Sequence, residues 1–180
     1  MERKKPLPEL EPQIVSAFAL TFASRWDCYP KQLDTGKYVR VNCPLTNQHI
    51  LDHLYGLSNI TLGTYALDIS SQARWVCFDA DTDEQFMNLS QAIGTLSAVG
   101  QTGYLERSRR GGHLWLFFSP ISGYNARRFA RQLASETGIQ HEGMELYPKQ
   151  DYLNEDGYGS LVRLPLGIHR KTGQRYHFIN

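Results

Sequence analysis

Two aspartates one residue apart, Asp79 and Asp81, end a strongly β-prone stretch at residues 73–81. Side chains two apart on a strand point the same way, so both carboxylates lie on one face. A third acid, Glu145, lies in a later β-prone stretch, residues 143–148. An isolated pair is also typical of solvated acids at a strand end, but converging carboxylates need a cation, and hard oxygen ligands select Mg²⁺ or Mn²⁺. The pattern predicts two divalent ions that support phosphoryl transfer.

A basic, glycine-rich run at residues 106–113, ERSRRGGH, separates two other β-prone stretches. Glycines let backbone N–H groups approach phosphates closely, and arginines give bidentate phosphate contacts. By itself the run is typical of a basic hairpin turn. Beside a carboxylate cluster it predicts a clamp for a triphosphate. The candidate phosphate-contacting residues are Ser108 and Arg109 in the run, and Lys149, Arg163 and His169 downstream.

Four predicted strands and two predicted helices would position these residues. Hydrophobic periodicity predicts strands at 73–81, 103–108, 113–119 and 143–148, and helices at 83–99 and 123–138. The order β-α-β-β-α-β is typical of an α+β fold with a ferredoxin-like or RRM-like unit. Such a sheet has strand order 4-1-3-2, with helices on one face and the other face open. We therefore expect Asp79, Asp81, His113 and Glu145 to meet on the open face.

The chain before this unit predicts a smaller αβ module. Residues 1–12 read as a polar tail, and residues 13–70 as the module, which precedes an RRM-like catalytic module at 71–180. Within the first module we expect a helix at 13–26, a strand at 38–41, a helix capped by Thr46 and stopped by Gly56, and a strand at 63–68. Closing strands are expected at 159–167 and 175–180. The two modules would together form one domain.

Two histidines four residues apart, His49 and His53, lie on the predicted second helix. This spacing is also that of a zinc-protease helix, but Ile50 stands where that motif requires its general-base glutamate. We therefore interpret both as ordinary residues of a helix face. The cysteines, odd in number and far apart, predict reduced thiols in a cytoplasmic protein rather than disulfides or a zinc site. They are Cys28, Cys43 and Cys77.

The 180-residue chain carries a net charge of +1, and 41% of its residues are hydrophobic. That length favours one domain, and no apolar run is long enough to predict a membrane span. The near-neutral charge is an average of two unlike halves. Residues 1–100 have a net charge of −3 and residues 101–180 a net charge of +4. This distribution predicts weak, salt-sensitive nucleic-acid affinity rather than a strong stand-alone binder.

Three motifs carry a resemblance to a known family. They are FDAD at residues 78–81, GGH at 111–113 and the Glu145 of MELYP. Together they resemble the archaeo-eukaryotic primase superfamily, whose pattern is a strand with D-x-D, then small-x-His, then a later acid. The tracts LERSRRGGHLWLFF and GSLVRLPLGIHRKTGQRY are similar to the primase-polymerases of TOTE conflict systems and of CRISPR systems. The resemblance covers nearly all of the chain after the first dozen residues.

The resemblance implies a role for each motif. Asp79, Asp81 and Glu145 would bind two Mg²⁺ or Mn²⁺ ions, and His113 would hold the phosphates of an incoming nucleotide. The residues before 70 would help to seat a single-stranded DNA template. The third acid is a glutamate where much of the superfamily has aspartate. The zinc or helical accessory domains that assist initiation in many relatives are not found, which leaves both de novo priming and primer extension open.

The function predicted from these observations is a template-dependent nucleotidyltransferase that joins dNTPs or NTPs on single-stranded DNA. One alternative is a non-catalytic RRM-like module that stacks bases on Trp75 and Trp115. Such a binder has no need of three converging acids. Another alternative is a metal-dependent nuclease related to Rep-type enzymes. That class requires a His-hydrophobe-His pair, which the sequence does not contain.

Overall fold

A computed structural model describes residues 9–57 and 59–180, so the predicted polar tail lies largely outside the described residues. Its elements in chain order are α1 (Pro12–Phe22), β1 (Tyr29–Gln32), β2 (Tyr38–Val41), α2 (Asn47–Tyr55), β3 (Gly63–Tyr65), β4 (Gln72–Ala80), α3 (Asp83–Ala98), β5 (Tyr104–Arg107), β6 (Gly112–Ser122), α4 (Gly123–Thr137), β7 (Glu145–Tyr147) and β8 (Leu161–Arg163). None of these helices has the length and apolar character needed to cross a bilayer. All three cysteines are free thiols.

The central sheet contains four antiparallel strands in the order β5-β6-β4-β7. Numbered within the predicted unit, this is 2-3-1-4, so the β-α-β-β-α-β prediction and its strand order are confirmed. Helices α3 and α4 cover one face and bury side chains such as Phe78, Leu89, Leu114 and Leu133 between sheet and helices. Full burial of side chains of this size stabilises the fold by roughly 1.5–3 kcal/mol each.

The prediction that the opposite face of the sheet is open is wrong for most of its length. Trp75 and Trp115 lie on that face, fully buried, with ring centroids 4.9 Å apart in an edge-to-face arrangement. Phe22 of α1 packs edge-on against Trp115 at 5.3 Å. Exposing two indoles to water would be costly, so this face needs a cover, which the N-terminal elements and β8 supply. The face carries the candidate site at one end, where the polar residues lie.

Two small sheets flank the central one. Strands β1 and β2 form an antiparallel hairpin, and β3 pairs with β8. The predicted closing strand at 159–167 is therefore a strand only at its centre, and it joins β3 rather than the central sheet. The last residues lie along the free edge of β5, where Ile179 N donates to Leu105 O at 2.9 Å. This contact covers part of a strand edge that would otherwise expose unpaired backbone groups.

Helix α1 ends at Phe22, four residues before the predicted end. Its last carbonyl accepts hydrogen bonds from Trp75 Nε1 at 3.0 Å and from Thr64 Oγ1 at 2.7 Å. The helix can end here because these two donors from distant residues satisfy the Phe22 carbonyl, which would otherwise need an N–H from a further helical turn. Helix α2 matches its prediction at both ends, with Thr46 as N-cap and Gly56 in the left-handed conformation at φ 71°.

His53 of α2 is completely buried. Leu62 N donates to its Nδ1 at 3.0 Å, and its Nε2 donates to Pro165 O at 2.9 Å, so the ring is neutral with its proton on Nε2. His49 accepts from Thr46 N as part of the helix cap. Both histidines therefore have structural partners, in agreement with the helix-face interpretation.

Burial lowers the pKa of His53 to about 4, whereas the unfolded chain titrates near 6.5. Between these values the unfolded state binds the extra proton. The resulting stabilisation, about 3 kcal/mol by linkage, is present above pH 6.5 and is lost as the pH falls towards 4. In His53→Gln the amide can replace both hydrogen bonds without titrating. We therefore expect the slope of the free energy of unfolding against pH to decrease by about one proton in this variant. Urea unfolding of both proteins between pH 7.5 and 4.5 measures it; identical slopes would contradict the assignment.

Candidate active site

Four charged or titratable side chains form one row across the central sheet. Asp79 on β4 lies directly opposite His113 on β6 and, on its other side, opposite Glu145 on β7. His113 in turn lies opposite Glu106 on β5. Residues directly opposite one another on antiparallel strands share a face. The structure thus brings Asp79, His113 and Glu145 together as predicted and adds Glu106; we call these four residues the charged row.

The loop between β5 and β6 packs tightly against the end of β4. A Cβ atom on Gly111 would lie 2.1 Å from the carbonyl oxygen of Ala80, which immediately precedes Asp81. Ser108 N donates to Gly111 O at 3.0 Å and closes the loop on itself. Glycine is therefore required here by close approach of backbone to backbone. This packing holds the basic loop beside the two aspartates.

A cavity of about 330 Å³ opens in front of the charged row. The β1–β2 hairpin forms part of its wall through Gln32 and Tyr38, neither of which the sequence analysis predicted. Seven of the nine predicted site residues line the cavity: Asp79, Asp81, Ser108, Arg109, His113, Arg163 and His169. The other two, Glu145 and Lys149, are not among its lining residues. The site is thus built from the central sheet, the hairpin and the segment around β8.

Glu145 and Lys149 pair with each other. Lys149 Nζ lies 2.5 Å from Glu145 Oε1, and the Tyr147 hydroxyl donates to the other carboxylate oxygen. Burial alone would raise the pKa of Glu145, but the bonds from Lys149 and Tyr147 outweigh it and the pKa lies below its usual value. Glu145 is therefore ionised at neutral pH. The phosphate contact expected of Lys149 stays a prediction.

The two aspartates have different surroundings. Burial raises the pKa of Asp79; His113 opposes the rise, whereas Asp81 and Glu145 add to it. Asp81 is more exposed, accepts from Arg110 Nη2 at 2.5 Å, and is tied through its backbone N–H to Gln85 Oε1 at 2.8 Å. Burial is thus the main reason why the folded state disfavours the ionised form of Asp79, and the nearby carboxylates add to it.

The donor chemistry of the aspartates fits a divalent cation. Asp79 and Asp81 present carboxylate oxygens to one cavity, and a cation there would offset the burial and the neighbouring carboxylates that raise the pKa of Asp79. In the described part of the chain, no three His, Cys, Asp or Glu side chains converge on one point as metal ligands. Glu145 is in register with Asp79, but its two oxygens are bound by Lys149 and Tyr147. Its predicted role as third ligand stays a prediction.

Glu106 is the charged residue that the sequence analysis missed. Its side chain is wholly buried; Oε1 accepts from Arg163 Nη2 at 2.5 Å and Oε2 from His113 Nδ1 at 2.9 Å. Burial alone would raise its pKa, but Arg163 and His113 outweigh burial and lower it, so the carboxylate is ionised. The length of the β5–β6 loop could have predicted the position of Glu106 from the sequence. The four-residue loop 108–111 sets the hairpin register that places residue 106 opposite residue 113.

The arginines of the β5–β6 loop are not equivalent. Arg107 pairs with Asp83 at 3.1 Å, and Arg110 pairs with Asp81. Arg109 lines the cavity and forms no ion pair with any residue that the structure describes. It is therefore the arginine of this loop whose charge is directed to the cavity without a protein counter-ion.

The far wall of the cavity has two polar features. Burial lowers the pKa of His169, and the nearby Arg163 and Arg109 lower it further, which favours the neutral ring. The Tyr38 hydroxyl is buried and has no hydrogen-bond partner among the described residues. Burial raises the pKa of Tyr38, so its proton is retained. An unsatisfied buried polar group typically costs about 1–3 kcal/mol.

Comparison with known proteins identifies the family of the chain. A family model described as the archaeo-eukaryotic primase domain of the TOTE conflict system matches residues 13–180. The match includes every residue of the charged row and every residue that lines the cavity. A search of curated proteins returned no match.

Proposed function

Because the chain belongs to the archaeo-eukaryotic primase family, as a domain of the TOTE conflict system type, we propose that it is a template-dependent nucleotidyltransferase. Primase-like chemistry on nucleotides and nucleic acid follows from the family. The finer proposal is that this chain joins dNTPs or NTPs along a single-stranded DNA template. The 3′-hydroxyl of a primer, or the hydroxyl of a first nucleotide, attacks the α-phosphate, and pyrophosphate leaves.

One observation carries this proposal: a single cavity has the D-x-D carboxylates and the basic β5–β6 loop in its wall. The carboxylates supply hard oxygen ligands, and the loop supplies donors for phosphate oxygens. A triphosphate needs both kinds of group at once, because its own charge must be neutralised by metal and by protein cations. A site for a neutral ligand would require neither.

The chain's own residues orient the nucleotide. The Arg109 guanidinium and the Ser108 hydroxyl donate to phosphate oxygens. The His113 ring that contacts the same group carries both protons, because Nδ1–H is bonded to Glu106 and Nε2–H is needed to donate to phosphate. Arg163 and His169 line the cavity near β8 and complete the set of donors. Catalysis by these groups consists of positioning and of stabilising negative charge, both of which act strongly inside a cavity that restricts water.

The predicted metal ligands are Asp79, Asp81 and Glu145, which would hold two Mg²⁺ or Mn²⁺ ions. When bound, such ions lower the pKa of the attacking hydroxyl and stabilise the leaving pyrophosphate. The protein keeps Glu145 ionised through Lys149 and Tyr147. Burial and the neighbouring carboxylates disfavour the ionised form of Asp79, and a cation would offset both.

The alternative of an RRM-like binding module has no support in the packing. That function requires exposed aromatic rings on which bases can stack. Trp75 and Trp115 are both completely buried and pack against each other and α1. They are core residues, and they could stack on bases only if the N-terminal elements that cover this face of the sheet moved away.

The test is a primer-extension assay with a labelled primer on a single-stranded DNA template. It compares primed and unprimed templates, dNTPs and NTPs, and Mg²⁺ and Mn²⁺. We expect incorporation that depends on the template and on a divalent ion, and that weakens as salt rises. Folded protein that incorporates nothing under any of these conditions would contradict the proposal.

We expect His113→Ala to raise the KM for the incoming nucleotide more than it lowers kcat. Loss of a charge-assisted hydrogen bond to phosphate costs about 1.5–3 kcal/mol, which corresponds to roughly 10- to 150-fold in KM. Because Arg163 still pairs with Glu106, the fold should survive. His141→Ala, in the loop before β7, is the matched control. An unchanged KM for His113→Ala would remove His113 from the nucleotide site.

A further inference from the structure

The two carboxylate oxygens of Glu106 accept hydrogen bonds from two different residues of the cavity wall. Oε1 accepts from Arg163 on β8, and Oε2 accepts from His113 on β6. A buried carboxylate that is not paired is strongly destabilising. Here the pairing joins two residues that both line the cavity, whereas Glu106 itself is not part of its lining. The carboxylate thus lies directly behind two cavity-facing donors.

The contact with Glu106 fixes the orientation of the His113 ring. An ionised carboxylate can only accept hydrogen bonds, so the proton of this contact lies on Nδ1. Nε2 is then the ring nitrogen directed to the other side, where it lies 3.5 Å from Asp79 Oδ1. The Trp115 ring packs edge-on against the imidazole, with centroids 6.0 Å apart. The orientation of the ring, with Nδ1 towards Glu106 and Nε2 towards Asp79, is therefore set before any substrate binds.

The same carboxylate holds the guanidinium of Arg163. Arg163 lies on β8, where it is opposite Gly63 of β3, and its side chain is only 6% exposed. Its Nη2 is bound to Glu106, and its Nη1 has a long contact of 3.4 Å with Leu164 O. Glu106 is thus its strongest partner. Without this counter-ion the guanidinium would be a buried, unpaired charge.

We propose that Glu106 is a positioning residue for the nucleotide site. Its single carboxylate fixes the orientation of the His113 ring, with Nδ1–H bonded to Glu106 and Nε2 directed to the cavity, and it fixes the position of the Arg163 guanidinium, so that both residues face the triphosphate in one arrangement. The inference rests on the proposed function, which it deepens by naming how two phosphate-contacting residues are held. An ion pair that only stabilised the core would not need two partners in the cavity wall.

The experiment compares Glu106→Gln with the matched control Glu136→Gln on the exposed side of α4. Glutamine preserves the shape but offers one acceptor oxygen for two donors. We expect the KM for dATP to rise about tenfold or more in Glu106→Gln, since each lost bond to a charged group is worth about 1.5–3 kcal/mol. The kcat should change less, and Glu136→Gln should match the wild type in both constants.

A second readout does not depend on activity. Nitrogen-15 NMR of the metal-free wild-type protein is expected to show His113 protonated at Nδ1, with the shift of a proton bonded to carboxylate. Glu106→Gln should lose that signature. A wild-type spectrum with the neutral Nε2–H tautomer overturns the proposal, even if the variant does not fold. So does a folded Glu106→Gln that keeps the wild-type KM. Absence of incorporation by the wild type would instead contradict the proposed function.

Discussion

Asp79→Asn abolishes nucleotide incorporation and leaves the protein at least as stable as the wild type; this is the expected result for a largely buried carboxylate with other carboxylates nearby. Removing one electrostatic group of this kind from an active site costs roughly 10²–10³-fold in rate, and a lost metal ligand costs more. The pKa of Asp79 is raised by burial, although His113 opposes the shift. Its ionised form is therefore disfavoured by folding.

The sign of the stability effect follows from linkage. As the pH rises from the ordinary pKa of aspartate through the raised pKa of Asp79, the wild type loses stability, because its folded state disfavours the ionised carboxylate; asparagine removes this cost. Below the ordinary pKa the carboxyl is protonated in both states, and the difference between the two proteins disappears. Thermal unfolding in EDTA at several pH values measures this effect, and primer extension with Mg²⁺ or Mn²⁺ measures the loss of activity.

Asp83→Asn is the matched control for Asp79→Asn. Asp83 begins α3 two residues beyond the motif, is mostly exposed, and pairs only with Arg107 at the surface. Its loss should cost a few tenths of a kcal/mol and leave extension unchanged. Full extension by Asp79→Asn, or an equal loss in Asp83→Asn, would refute the assignment of the first acid. Asp81→Asn is expected to lose incorporation as well.

Gly111→Ala is expected to reduce both stability and activity severely. Its added Cβ would lie 2.1 Å from the Ala80 carbonyl oxygen and 3.0 Å from that of Thr82. These are backbone atoms on both sides of Asp81, so they can move only if the end of β4 separates from the loop. Overpacking costs typically 1–3 kcal/mol, and here it also displaces the two aspartates relative to Arg109. Denaturant unfolding and primer extension measure the two effects.

Gly94→Ala provides the opposite expectation for the same chemical change. Gly94 lies inside α3, and nothing lies within 4 Å of the position its Cβ would take. Replacing a helix-interior glycine by alanine should stabilise the protein by about 0.5–1 kcal/mol and leave activity unaltered. Equal changes in the free energy of unfolding of both variants would show that the close approach at Gly111 does not destabilise the alanine variant.

The central sheet and half of the site could be predicted because their signals are local. Alternating side chains placed Asp79 and Asp81 on one face, and the order of elements placed His113 and Glu145 on the neighbouring strands. From the sequence alone, Gly111 is explained by a close approach of the backbone to phosphate. The structure gives a different reason, which is the packing of the loop against β4.

The remaining features depend on contacts between distant parts of the chain. The cover over Trp75 and Trp115, the wall formed by Tyr38, and the bond between Glu106 and Arg163 all require the N-terminal elements or β8 to dock on the central sheet. Periodicity carries no information about such docking. The division into modules at residue 70 therefore remains our proposal, with β3–β8 pairing and a shared core between the two parts.

The bond between Glu106 and Arg163 also bears on the order of events during synthesis. The two residues are 57 positions apart, so at about 5–20 residues per second Arg163 leaves the ribosome roughly 3–11 s after Glu106. Strands β4, β5 and β6 are all made by then, but without Arg163 the Glu106 carboxylate would be buried with only the bond from His113. We expect the nascent chain to keep this edge of the sheet open until β8 arrives. The cavity would then be completed from the C-terminal side, late in translation.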